Sequence, residues 1–334
     1  MKNLALSAVK PFMDYGDLIE LLSSRGMTVE DKDRAVRKVS QVGYYRLSGF
    51  WYPCRVLERD ENNQVVKIHG KPKRTSQFLP NSSFNDTFLL YKFDKRLRLL
   101  LLDAIERIEI HLRTIIAHEL GRIDPLAYQK QKFINPSELQ NYYKRGNVRN
   151  SWIEWSSRQQ SELSRSKEDC ILWHTKNEKT LPIWVAVEAW SFGTVSKYFE
   201  LLKGTHQNRV AAKLGVSNSS LLVRWLQDLN TLRNRCAHHT RVWNQSQNNP
   251  IRVPTDQGHA DTEYFARFNL GNKHKKKIYS LITIIWYLVR NIGPNSDWIQ
   301  HVLEEIESLP DLPFDTMEAI GAPENGLSID LFIE

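Results

Sequence analysis

Residues 84–120 read FNDTFLLYKFDKRLRLLLLDAIERIEIHLRTIIAHEL and carry the strongest periodic signal in the chain. Apolar side chains recur in this segment at three- and four-residue spacing: Phe93, Leu97, Leu100, Ala104, Ile108, Leu112 and Ile115. Such spacing places them along one face of a long amphipathic α-helix. Its polar side carries two pairs of opposite charge in the favourable i,i+4 order, Asp103 with Arg107 and Glu109 with Arg113.

Shorter helical patterns flank this helix on both sides. The predicted shorter helices cover residues 15–23, 30–42, 152–176, 184–202 with an interruption near Gly193, 208–214, 219–239, 275–291 and 296–308. A small hairpin is predicted around the turn-like residues 60–63. Residues 121–146 contain Pro125, Pro136 and Gly146 and are expected to form a connection with short helices. The fold class is therefore predicted to be mainly all-α, with at most one small β element.

These patterns also suggest how the chain is organised. Residues 1–80 are predicted to form an N-terminal helical module with the hairpin. Residues 81–310 form the main helical domain, with inserted helices over 121–180. Residues 311–334 form a C-terminal tail, which is expected to be loosely held from Met317 onward.

Composition excludes several classes of protein. With 334 residues, 41% of them hydrophobic, and 15 Gly and 13 Pro, the chain is neither collagen-like nor disordered. Its three cysteines, Cys54, Cys170 and Cys236, lie more than 60 residues apart and fit no metal knuckle or disulfide framework, which favours a reducing compartment. No signal peptide or membrane span is expected, so a cytoplasmic protein without a membrane partner is predicted. The net charge of +8 is compatible with a nucleic-acid partner.

The common catalytic motifs are absent. The sequence has no GxxxxGK[ST], GxGxxG, HExxH or GxSxG, which removes the usual signals for phosphate loops, dinucleotide sites, zinc proteases and serine hydrolases. The distinctive segment is instead residues 232–244, LRNRCAHHTRVWN, in which three arginines and two histidines fall within nine residues.

Helical geometry separates the members of this segment. Arg233 falls on the same side of its helix as the apolar stripe, where a guanidinium needs a partner, whereas Arg235 points to the solvent side. In an unbroken helix His238 lies about 140° around and about 7.5 Å along the axis from Arg233. Either the helix unwinds before His238 or a second chain completes the pair. A purely structural alternative is that Arg and His cap the last carbonyls of the helix.

The spacing Arg233-x4-His238, with Asn234 directly after the arginine, is similar to the Arg-x(4–6)-His signature of the HEPN superfamily of helical ribonucleases. The fuller run resembles the Abi-like abortive-infection family of bacteria, the AbiD/AbiF group. Five further blocks match that family in order, and the resemblance extends from about residue 10 to about residue 300. These blocks cover residues 43–50, 91–98, 104–113, 181–185 and 191–193.

This resemblance implies a HEPN-like helical bundle that cuts RNA without a metal or cofactor and acts as a toxin in phage-infected cells. The ribose 2′-OH would attack the adjacent phosphate and leave a 2′,3′-cyclic phosphate and a 5′-OH. His238 would move a proton as general base or acid. Arg233 would neutralise the phosphorane oxygens with its bidentate fork. Asn234 would orient the histidine or the helix end, and His239, at x5 spacing, is the second choice for the catalytic imidazole.

The resemblance also implies partners. Because the chain has one such motif, two copies would meet across a two-fold axis and form one composite cleft. Some family members are encoded beside structured noncoding RNAs, so an RNA of this kind is an expected partner in addition to the substrate. Arg241, Lys275, Lys276 and Lys277 are candidate RNA contacts. Apart from the resemblance, a buried-side Arg233 needs a carboxylate or phosphate nearby, and the candidate carboxylates are Asp103, Glu106 and Glu109. For any single one of them, a surface ion pair with Arg107 or Arg113 is the commoner role.

Two alternatives to an enzyme remain open at this stage. In the first, the chain is a non-catalytic RNA-binding protein of phage defence whose Arg and His side chains only hold RNA. In the second, the Arg-x4-His segment only caps a helix. The aromatic residues near 44–52 invite a base-stacking interpretation, but core packing is the commoner role for such residues.

Overall fold

A computed structural model describes residues 9–247 and 249–333. The α-helices are α1 (Tyr15–Ser24), α2 (Lys32–Val42), α3 (Tyr44–Trp51), α4 (Phe84–Gly121), α5 (Ser151–Arg165), α6 (Asp169–Lys176), α7 (Ile183–Ala186), α8 (Phe192–Leu201), α9 (Gly204–Lys213), α10 (Ser219–Ala237), α11 (Ala260–Arg267), α12 (Ile278–Ile292), α13 (Trp298–Glu307), α14 (Thr316–Ile320) and α15 (Asp330–Ile333). The strands are β1 (Arg55–Leu57), β2 (Lys67–Ile68), β3 (Lys71–Pro72), β4 (Arg74–Phe78), β5 (Asn141–Lys144) and β6 (Asn147–Asn150). The prediction of a mainly α protein is confirmed.

The chain divides into two compact units. One unit comprises the residues up to Lys95 together with Glu305–Thr316, and the other comprises Arg96–Glu304 together with the residues from Met317. The long helix α4 begins in the first unit and continues into the second.

The first unit contains α1 to α3 and the strands β1 to β4. Asp31 caps α2, because its side chain accepts a hydrogen bond from the backbone N–H of Arg34 at 2.8 Å. Gly43 joins α2 to α3 with φ at 92°, a left-handed conformation that favours glycine. The predicted hairpin turn is present: the Asp60 carboxylate accepts from the backbone N–H groups of Asn62 and Gln64, both at 2.9 Å. The main partner of β1, however, is β4.

The second unit has a helical core. Helix α10 packs against α8, α9 and α12. Every residue of α12 from Ile278 to Val289 is buried, as its almost continuous apolar sequence requires. Within the described residues, no helix combines the length and apolarity that a membrane crossing needs.

Two local predictions in the second unit are wrong. Residues 141–150 form the hairpin β5–β6, and the described chain has three two-stranded sheets where at most one small β element was expected. Arg145 and Gly146 both adopt positive φ in its two-residue turn, a geometry that matches the twist of paired strands. Residues 152–176 form two helices, because Ser166 is extended and its hydroxyl accepts from the backbone N–H of Glu168 at 3.2 Å.

The expectation of a loosely held tail is also wrong. The tail forms α14 and α15, and Phe332 is fully buried. The Phe332 ring contacts that of Phe268 with centroids 4.9 Å apart. The backbone carbonyl of Phe332 accepts a hydrogen bond from the indole N–H of Trp286 at 2.8 Å. Phe332 is therefore part of the second unit's core.

Replacing Phe332 with Ala tests this packing. The variant is expected to lower the free energy of unfolding by about 3–5 kcal/mol, because it leaves a cavity among aromatic side chains. Urea denaturation measures the change. The matched control is the neighbouring Ile333→Ala, whose side chain is 58% exposed and should matter little. Equal, small effects of both variants would contradict a docked tail.

Candidate functional site

The Arg-x4-His segment lies at the end of α10. His238 is the C-cap residue, and its backbone N–H donates to the carbonyl of Asn234 at 2.9 Å. His239 then adopts the left-handed conformation, with φ at 57°. The N–H groups of His239 and Thr240 donate to the carbonyls of Cys236 and Arg235, both at 3.0 Å, which is the Schellman pattern. The helix therefore ends at His238, and the chain changes direction directly after it.

Backbone groups and one hydroxyl satisfy the carbonyls at this helix end. The Thr240 hydroxyl also donates to the carbonyl of Arg235, at 3.0 Å. Within the described part of the chain, neither the Arg233 guanidinium nor the His238 imidazole donates to one of the last carbonyls of α10. The helix end is closed by backbone groups and Thr240, so the capping alternative receives no support from the geometry.

Arg98 of α4 contacts the segment that follows α10. Its side chain is buried, and Nη1 lies 3.4 Å from the carbonyl oxygen of Thr240, at the long end of the hydrogen-bond range. Arg98 was not among the residues predicted to form the site. The only signal for it was its place at the end of block 91–98.

Arg233 is half-buried and lines an open cleft of about 390 Å³. Arg233 lies on the inner side of α10, where the helical period predicted it. The charged residues that line this cleft, called here the Arg233 cleft, are Arg113, Arg165, Lys167, Arg233, Glu109, Glu162, Glu168 and Glu188. Mixed charge of this kind can hold an anion at the arginines while the carboxylates fix the arginines in place.

Glu109 is the carboxylate that interacts with Arg233, and the other two candidates, Asp103 and Glu106, are exposed. The Glu109 side chain is only 11% exposed and forms an ion pair with Arg113. Arg113 also donates to the backbone carbonyl of Trp190. Burial raises the pKa of Glu109 above its usual value, and this effect exceeds the lowering by the Arg113 and Arg233 guanidinium groups.

Glu162 of α5 builds another wall of the cleft by capping α8. Its carboxylate accepts from the backbone N–H of Ser191 at 3.0 Å and from the hydroxyls of Ser191 and Thr194 at 2.9 and 2.8 Å. A Cβ atom at Gly193 would lie 3.1 Å from Nη2 of Arg158, so glycine allows this arginine to approach. The block Ser191-Phe192-Gly193 thus has a structural explanation. It forms the start of α8, where the Glu162 carboxylate of α5 accepts hydrogen bonds from Ser191.

His238 does not line the Arg233 cleft. It is exposed, as are Asn234 and His239. The Arg233 side chain thus opens on the cleft, while the His238 imidazole lies at the outer end of the same helix. Arg235, expected on the solvent side, is half-buried.

The other predicted RNA contacts also lie apart from the Arg233 cleft. Lys275 and Lys276 belong to a short 3-10 turn, and Lys277 precedes α12. Lys276 is exposed, whereas Lys275, Lys277 and Arg241 are half-buried. Burial lowers the pKa of Lys277. None of these four residues lines the cleft.

Two cations of the cleft, Arg165 and Lys167, were not among the predicted site residues. Arg165 ends α5 and Lys167 lies in the break before α6, and both are exposed at the rim. The prediction of one continuous helix over 152–176 hid this break. Ser166 was the only available signal, because serine can end a helix through a local side-chain hydrogen bond.

Together these features define a mainly α protein whose Arg-x4-His helix end adjoins a charged cleft. The family model described as Abi-like protein matches residues 37–244, which include this segment. The chain belongs to the Abi-like family, and this membership supports a role in abortive infection, a defence of bacteria against phage. No curated protein and no solved structure matches the chain.

Glu109→Gln tests the electrostatics of the cleft. A carboxyl whose pKa is raised on folding stabilises the fold while it is protonated, and that contribution is lost as the pH rises through the raised pKa. We therefore expect Glu109→Gln to match the parent protein near pH 4, at about the ordinary glutamate pKa, and to be the more stable of the two at pH 7. Urea denaturation at both pH values measures the difference.

The control is Asp103→Asn on the same helix. Asp103 pairs with Arg107 at 2.8 Å, but both side chains are about half exposed, at 52% and 44%. Its removal should change the free energy of unfolding by less than about 1 kcal/mol. A Glu109→Gln variant that is less stable than the parent at pH 7 would show that the two arginines outweigh burial.

Proposed function

We propose that this Abi-like protein is a metal-independent endoribonuclease of the HEPN type, with Arg233 and His238 as its catalytic residues. The observation that carries the proposal is the accessibility of both side chains. Arg233 opens on the charged cleft, and His238 is exposed at the end of the same helix. Neither is sealed inside the subunit, so both can reach a phosphodiester.

The residue types suit RNA cleavage by the adjacent hydroxyl. The 2′-oxygen forms a bond to phosphorus and loses its proton to a base, while the P–O5′ bond breaks and the leaving oxygen takes up a proton. Histidine carries out proton transfers of this kind near neutral pH. The Arg233 guanidinium offers a planar fork to the phosphorane oxygens, and the Glu109 carboxylate lines the same cleft.

The separation of Arg233 from His238 favours a homodimer. Within one chain, His238 does not line the Arg233 cleft. In a two-fold dimer, the His238 of a second copy can complete the site. A structured noncoding RNA, acting as an antitoxin or guide, is a further RNA partner in this proposal.

Substitution of the two residues tests the reaction. The parent protein, incubated with labelled RNA in EDTA, is expected to yield 2′,3′-cyclic phosphate and 5′-OH ends, which mass analysis identifies. Arg233→Ala and His238→Ala should each reduce cleavage by at least about 100-fold, because each removes a group that acts in the transition state. Both should also abolish growth arrest on expression in bacteria.

Arg235→Ala is the matched control, since Arg235 lies on the same helix but does not line the Arg233 cleft. It should retain cleavage. His239→Ala decides between the two candidate imidazoles: retained cleavage assigns the role to His238. The non-catalytic alternative predicts a different result. The parent protein and every variant would bind RNA tightly, none of them would cut it, and the parent would not arrest growth.

Mixing subunits tests the composite site. If Arg233 of one copy acts with His238 of the other, a heterodimer of the Arg233→Ala and His238→Ala chains contains one intact pair. Co-refolding the two inactive variants should then restore cleavage. If both residues acted within one chain, no intact pair would exist, and the mixture would stay inactive although the parent protein treated in the same way is active.

A further inference from the structure

A second groove adjoins the Arg233 cleft. It has a volume of about 490 Å³ and shares one wall residue, Glu188, with the cleft. Its other lining residues are Thr114, Ala117, His118, Gly121, Arg122, Trp184 and Val187. Residues of α4 line both depressions, from Glu109 in the first to Gly121 in the second, a distance of about 18 Å along the helix axis. The two depressions meet at Glu188, and the second is called here the Trp184 groove.

Trp184 is the largest apolar group in this groove. Its side chain is 51% exposed, although its neighbours Ile183 and Val185 are buried. A Cβ atom at Gly121 would lie 3.1 Å from Cε3 of the indole, so the lack of a side chain there lets the ring lie directly against α4. The indole thus packs against α4 on one side and is exposed to solvent on the other, which is the arrangement of a platform on which a base can stack.

The groove carries two exposed cationic side chains and one exposed carboxylate, that of Glu188 at the border with the Arg233 cleft. His118 and Arg122 are exposed beside the indole. The nearest carboxylate to both, Glu119, is itself buried and pairs with Arg122 at 3.0 Å. The adjoining Arg233 cleft adds Arg113 and Arg233. An aromatic face between cationic groups is characteristic of sites that bind single-stranded nucleic acid.

We infer that the Trp184 groove binds single-stranded RNA, with one base stacked on the indole and the adjoining backbone leading into the Arg233 cleft. This inference rests on the proposed function, because it takes the RNA substrate as the ligand. Trp184 is then a residue that binds and positions substrate, while Arg233 and His238 carry the reaction. Stacking on an indole tolerates every base, so this contact favours single strands over duplexes without selecting a sequence.

A binding measurement in a non-cleaving background tests the inference. The His238→Ala chain keeps RNA intact, and its affinity for a fluorescent single-stranded oligonucleotide is measured by anisotropy. Adding Trp184→Ala should weaken binding by about 10-fold or more, whereas Trp184→Phe should weaken it by less than about 3-fold because an aromatic face remains. A duplex of the same sequence should respond much less to either change.

Trp173→Ala is the matched control. Trp173 is 50% exposed, almost the same as Trp184, but its ring is covered by the Lys179 ammonium at 4.5 Å from the centroid and it does not line the Trp184 groove. It should leave the affinity for RNA within about 2-fold of the background. Thermal melting of all variants verifies that each is folded.

Two results would overturn the inference. In one, folded Trp184→Ala binds single-stranded RNA as tightly as Trp173→Ala does. In the other, Trp184→Ala changes the sedimentation coefficient from that of a dimer to that of a monomer, which would make the groove a contact between subunits. Failure of the proposed function is distinguishable: the parent protein would then not cut RNA, while the binding measurement would still report on Trp184.

Discussion

A carboxylate held largely out of water determines much of the geometry around the candidate site. Burial makes the negative charge of Glu109 costly, and this cost is reduced by the ion pair with Arg113 and by the charge of Arg233, which lines the same cleft. Since Arg113 also bonds the carbonyl of Trp190, the charge cluster connects α4, α10 and the segment before α8. Arg233 lines the same cleft as this carboxylate, and a guanidinium in that position can accept a phosphate.

The end of α10 separates the two residues that the proposed reaction needs. A Schellman turn with His239 in the left-handed conformation reverses the chain, and Arg98 of α4 contacts the residue that follows. This arrangement leaves His238 exposed at the tip of the helix, away from the Arg233 cleft. A site formed by two copies reconciles that separation with a shared role in catalysis, and it would make activity depend on association of the subunits.

The sequence blocks that resemble the Abi-like family acquire physical roles in the structure. Block 104–113 supplies the buried pair of Glu109 and Arg113, and block 191–193 begins a helix under the carboxylate of Glu162. Block 181–185 presents Trp184 beside α4, where Gly121 leaves room for the indole. These three blocks line the Arg233 cleft and the adjoining Trp184 groove, so the fold brings segments that are distant in the chain to one region of the second unit.

The sequence by itself determined what depends on the helical period: the mainly α class, the long helix α4, its i,i+4 ion pairs, and the inward position of Arg233. These features follow from spacing within one segment. Only the tertiary structure decided the hairpin of residues 141–150, the break at Ser166, the buried tail at Phe332, and the cleft itself. Each of these depends on a few hydrogen bonds or on contacts between segments far apart in the chain, and such contacts leave no periodic trace in the sequence.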